Sequence, residues 1–122
     1  MKVLFLHGIY SKKSSCGYDV YSSVKRHYKM LGYTVKAISY DPSEKIENIG
    51  ALVLETITNE RFDHIYVHSM GAYLLNQALR TPTIIEKLET DGTTIIISNG
   101  LIDNSTVFYK MIRVMRSQSF FK

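Results

Sequence analysis

The sequence predicts an α/β fold: a parallel sheet with helices on both faces, a three-layer α/β/α sandwich. Two observations carry this. Short apolar runs alternate with segments of helical periodicity, in the order β-α-β-α-β-α-β-α. Strands that alternate with helices pair in parallel through helical crossovers. Residues 1–122 also have the length of one domain, enough for one core.

Lys2 to Leu6 (KVLFL) is an apolar run ending at His7-Gly8, a buried strand. Gly8 to Gly17 is a loop rich in Ser, Lys and Gly. Tyr18 to Leu31 carries Val20, Val24, His27/Tyr28 and Leu31 at helical spacing, with Gly32 as the stop. Thr34 to Tyr40 alternates as a second strand, closed by Asp41-Pro42. Ser43 is placed to cap a helix running to Asn59, with Ile46, Ile49, Val53 and Ile57 on one face. Glu47 is one residue too far from Ser43 for a capping box. His64 to His68 (HIYVH) is a third strand, and a helix from Met70 to Leu79 follows with no loop. Thr81-Pro82 breaks it, and Ile84 to Glu89 adds a turn or two. Thr93 to Ser98 is a fourth strand, rich in β-branched residues. Ser105 to Gln118 reads as a last helix. Its apolar face is Val107, Phe108, Met111, Ile112 and Met115, and Lys110, Arg113 and Arg116 fall largely on the other.

The net charge of +4 belongs to one segment. Residues 104–122 hold Lys110, Arg113, Arg116 and Lys122 and no acid, whereas residues 1–103 balance. A basic stripe over the whole surface is not expected, so nucleic acid is not an expected partner. The apolar share is 45% and the charged share 21%, which argues against disorder. No run has the length of a membrane span. The first strand is too short for a signal-peptide apolar region, and the single Cys16 cannot close an internal disulfide. A cytoplasmic setting follows as the expectation. No His or Cys pair has metal-ligand spacing, and no glycine fingerprint for phosphate appears. Neither metal nor cofactor is expected.

The third strand passes into a helix through His68-Ser69-Met70-Gly71. A Ser at a strand-to-helix turn with Gly two residues on is a nucleophile-elbow arrangement. Such a turn lifts the hydroxyl above the sheet's carboxyl edge and aims the helix's first N–H groups at the same point. Small residues two before and two after the Ser let neighbouring backbones approach. Gly71 satisfies the second place, and Val67 departs from the first. The alternative is a flavodoxin-like domain in which Ser69 caps a helix.

These pieces, with His7-Gly8 at the end of the first strand, resemble the α/β-hydrolase superfamily in its esterase and lipase-like branch. The resemblance covers residues 1–103 and implies a truncated core of about four strands in the order 2-1-3-4. It implies Ser69 as nucleophile and an oxyanion hole from the backbone N–H groups of Ile9 and Met70. Asp103 would be the acid, in the family's chain order. The site would lie at the switch point between the first and third strands.

The sequence departs from the family in its base. All four histidines, His7, His27, His64 and His68, precede Ser69, and residues 70–122 contain none. A Ser hydroxyl is a poor nucleophile without a base in reach. His68 neighbours Ser69, and adjacent strand side chains point apart. His64 opens its strand at the wrong edge, and His27 lies on a helix. His7 alone ends a strand at the right edge, either as base or as a shaper of the oxyanion loop. Asp103, in Ile102-Asp103-Asn104-Ser105, is either an acid or a helix cap. Tyr10, Ser11 and Ser14-Ser15 read as solvated and Cys16 as inert.

Two functions stay open: a minimal serine hydrolase of a small ester or thioester, or a pseudoenzyme that binds a protein partner. A homodimer is expected, by pairing of Thr93 to Ser98 as an unguarded edge strand or by burial of Phe108, Met111, Met115, Phe120 and Phe121. The basic last helix reads as a solvated surface helix, with contact to a membrane surface or an acidic partner as the alternative.

Overall fold

The computed structural model describes residues 1–6, 16–38, 44–68, 70–98 and 113–116. The elements are β1 (Lys2–Leu6), α1 (Cys16–Met30), β2 (Thr34–Ala37), α2 (Ile46–Asn59), β3 (His64–His68), α3 (Met70–Ala78), α4 (Pro82–Asp91), β4 (Thr94–Ser98) and β5 (Arg113–Arg116). The strands form one parallel sheet in the order β2-β1-β3-β4-β5. The expected order 2-1-3-4 is present, with a fifth strand beyond it.

Both faces of the central sheet are covered, so β1, β3 and β4 are apolar at successive positions, whereas the outer strand β2 alternates. Val3, Phe5, Tyr66 and Ile96 face α1, where Val24 and Tyr28 meet them. Leu4, Leu6, Ile65, Val67, Ile95 and Ile97 face the other way. They pack on Ile49, Val53 and Ile57 of α2, Leu74, Leu75 and Ala78 of α3, and Ile84, Ile85 and Leu88 of α4.

The amino edge is held by the segment between α2 and β3. Asp63 accepts the Lys2 N–H at 2.8 Å through its carboxylate, and its own N–H donates to the Lys2 carbonyl at 2.9 Å. Its carbonyl accepts the Thr94 N–H at 2.9 Å, so one residue ties β1 to β4. The Thr93 hydroxyl donates to the Phe62 carbonyl at 2.6 Å. Glu60 pairs with both Lys2 and Lys36, joining the end of α2 to β1 and β2.

Several expectations need correction. Ser43 lies outside the described residues, and α2 starts at Ile46 with Lys45 as its N-cap and no side-chain cap bond. The chain after Pro82 is a ten-residue helix, not a turn or two. Pro82 sits in its first turn, where its missing N–H costs nothing. The largest correction concerns the last helix. Within the expected span 105–118, residues Arg113–Arg116 form a strand parallel to β4, with Ile95 opposite Val114 and Ile96 opposite Met115. A strand satisfies the row of N–H and C=O groups along β4 that a helix could not. Thr93 to Ser98 is therefore not an edge, and the expected pairing of two copies along it has no free edge to use.

Candidate functional site

The sequence places the expected site at the carboxyl edge of the sheet, beyond the ends of β1 and β3, which lie side by side. Leu6 at the end of β1 stands in register with Val67 of β3. α1, the next described element after β1, packs on one face of the sheet, and α3, which follows β3, packs on the other. Open parallel sheets place their ligands at such a switch point.

β3 ends at His68 and α3 begins at Met70, so one residue, number 69, separates strand from helix. The first turn of α3 lies against the end of β1. A Cβ on Gly71 would fall 2.0 Å from the Leu6 carbonyl oxygen and 2.6 Å from its carbon. No real Cβ tolerates that approach, so position 71 must be glycine for α3 to start where it does. This is the close backbone approach that the elbow spacing predicted. Val67, the departure two residues before Ser69, is fully buried in the core cluster with Leu6 and Ile97. That position is filled by packing rather than opened for approach.

His68 closes β3 opposite Ser98 and is buried. His64 lies at the amino edge, away from the site, as expected from its place in the strand. Its Nδ1 and the Tyr28 hydroxyl are 2.9 Å apart, and its ring also meets Tyr33. Burial lowers the His64 pKa against a smaller opposing effect of Asp63. Burial also raises the Tyr28 phenol, helped by Tyr33 and Tyr66. His27 is partly exposed on α1 and meets Tyr28 edge-on. His7, Ile9, Ser69 and Asp103 lie outside the described residues, as do Gly8, Tyr10, Ser11, Ser14-Ser15 and Asn99-Gly100. Met70 is the first residue of α3, so its backbone N–H belongs to the helix's unsatisfied donors.

Sequence reasoning missed two features. One is the Tyr28–His64 pair, whose only signal was the place of Tyr28 on the inner face of a helix. The other is a groove of about 390 Å³ between α2 and α3, lined by Ile46, Glu47, Gly50, Leu54, Tyr73 and Gln77 among others. Its signal was a glycine in the middle of a helical pattern.

No family model, no curated protein and no solved structure matches this chain. Among the described residues, no helix is long and apolar enough to cross a membrane.

Proposed function

We propose that the protein is a minimal serine hydrolase of small esters or thioesters, acting in the cytoplasm, with Ser69 as nucleophile. One observation carries the reading. Gly71 admits the start of α3 against the end of β1, and β3 and α3 are separated by residue 69 alone. The two halves of the sequence signature, His7-Gly8 and Ser69, directly follow Leu6 and His68, the last residues of adjacent strands.

In this reading, the Ser69 hydroxyl attacks the acyl carbon, its proton passes by way of the base to the departing alcohol or thiol, and water then cleaves the acyl-serine ester to release the acid and restore Ser69. The N–H groups of Ile9 and Met70 stabilise the oxyanion, which is usually the largest single contribution in acyl transfer. Asp103 is the acid of the resemblance. The base precedes Ser69 in the chain, because no histidine follows it. His7 is the candidate by its place after β1. A homodimer through the apolar residues Phe108, Met111, Phe120 and Phe121 is proposed with this reading; light scattering should give twice the 14.0 kDa of one chain, and a value of one chain would overturn it.

Turnover of a short-chain nitrophenyl ester tests the proposal. The expected rate lies ~10²–10⁴-fold below that of an esterase with a full triad, since base catalysis typically supplies that factor. It should vanish in Ser69→Ala. A residual rate unchanged in Ser69→Ala would assign the hydrolysis to another group and remove Ser69 from the reaction. An ordinary esterase rate would reveal an efficient base, and its loss in His7→Ala would name it.

A further inference from the structure

The groove between α2 and α3 stands apart from the proposed chemistry. Both helices begin at the carboxyl edge of the sheet and lie side by side on the same face. Ile46, Gly50 and Leu54 form one row along α2, spaced by four residues. Tyr73 and Gln77 form the facing row on α3, with Leu74 and Ala78 beneath. Ile46 is 44% exposed and Tyr73 46%, so two of the large exposed apolar side chains flank one groove.

Gly50 is the unexplained residue. It sits in the interior of α2, where glycine is a poorer helix former than alanine. No contact among the described residues requires it: a Cβ there would meet nothing of theirs within 4 Å, and its φ is not positive. What the glycine does is keep the wall of the groove low midway between Ile46 and Leu54.

The charge carried by the two lining helices themselves is of one sign. Glu47 is the charged residue of the lining. Glu55 continues the row of Glu47 and Ala51 one turn further, and Glu44 precedes the helix. α2 contains no cation and α3 contains no charge; Lys45 stands at the N-cap of α2, and Arg61 and Arg80 lie two residues past the ends of α2 and α3.

We propose that this groove docks an amphipathic helix of a partner protein, with an apolar stripe and flanking Lys or Arg residues. Two neighbouring helices present a trough into which the side-chain ridge of a third fits. The row from Ile46 to Leu54 spans about 12 Å at the rise of an α-helix, which matches two turns of the partner. A large side chain of the partner sits over Gly50, against Tyr73. Its cations meet Glu47 and Glu55, which supply orientation and selectivity against acidic helices.

The test uses the full chain and a fluorescent synthetic peptide of leucine and lysine in heptad spacing, followed by anisotropy. A second peptide carries glutamate in place of each lysine. The native chain should bind the lysine peptide, weakening with added salt, and should not bind the glutamate peptide. Gly50→Leu fills the groove and should weaken binding by about tenfold or more, the loss of one well-buried anchor. Its melting temperature should not fall, because the site is open and glycine is a poor helix former. Glu47→Lys, on an exposed position, should weaken binding to a similar degree whatever Gly50→Leu does to stability. Absence of binding by the native chain would overturn the proposal. Equal affinity of the native chain and both variants, or equal affinity for the two peptides, would overturn it as well.

Discussion

Gly71 and Gly50 are both helical, and the structure gives their substitutions opposite signs. An alanine at 71 drives its Cβ into the Leu6 carbonyl, so β1 and α3 must separate. Gly71→Ala should lower stability by about 1–3 kcal/mol, the usual range for overpacking. Gly50→Ala meets nothing and removes the helical penalty of glycine, so it should raise stability by ~0.5–1 kcal/mol. Urea denaturation of the two variants beside the native chain checks both signs. His64 gives a pH dependence. Its folded-state pKa lies below the ordinary imidazole value near 6.5, because burial disfavours the cation. The unfolded chain therefore binds the proton more readily. The contribution is complete above about pH 6.5 and is lost as the pH falls through that value toward the lower folded one. The difference in urea midpoint between about pH 7 and pH 5 should shrink in His64→Gln. An unchanged difference would show that His64 titrates alike in both states.

At the scale of the element, β1 and β3 were legible from local pattern alone. KVLFL and HIYVH are apolar on both sides because helices cover both faces, and His7-Gly8 and Ser69-Met70-Gly71 punctuate them. The spacing of Gly71 from Ser69 announced a close approach, and the Leu6 carbonyl is what it approaches. β5 was not legible. Val107, Phe108, Met111, Ile112 and Met115 fit a helical period, and nothing local distinguishes the strand at Arg113–Arg116. Its conformation is fixed by β4, fifteen residues or more away in sequence, and such pairing overrides propensity. The α2–α3 groove was hidden for the same reason, since it belongs to two elements at once. The His64–Tyr28 contact likewise joins residues from a strand and a helix. Thr93, read as the first residue of a strand, instead fastens β4 to the segment before β3. Thr93→Val removes the hydroxyl donor and leaves the buried Phe62 carbonyl without it. A loss of about 1–2 kcal/mol is expected by thermal or urea denaturation.

Across the whole molecule, the sheet follows the rule that edges carry charge. Its outer strands are β2, with Lys36, and β5, with Arg113 and Arg116. β4, with three isoleucines in a row and no charge, is interior. Cations along an edge resist pairing with another chain. A chain ending at residue 112 would lose β5 and uncover β4. Light scattering should then show association that grows with concentration, beyond that of the full chain. A truncated chain that scatters like the full one would show that β5 does not guard this edge. The same sheet brings the ends of β1 and β3 together and sets α3 one residue past β3, the arrangement on which the reading of Ser69 rests. The most direct measurement is covalent labelling with a fluorophosphonate probe, located by peptide mass spectrometry. The account predicts slow, stoichiometric modification of Ser69 in the native chain, and none in Ser69→Ala. Absence of labelling in a folded native chain, or undiminished labelling of Ser69→Ala, would contradict it.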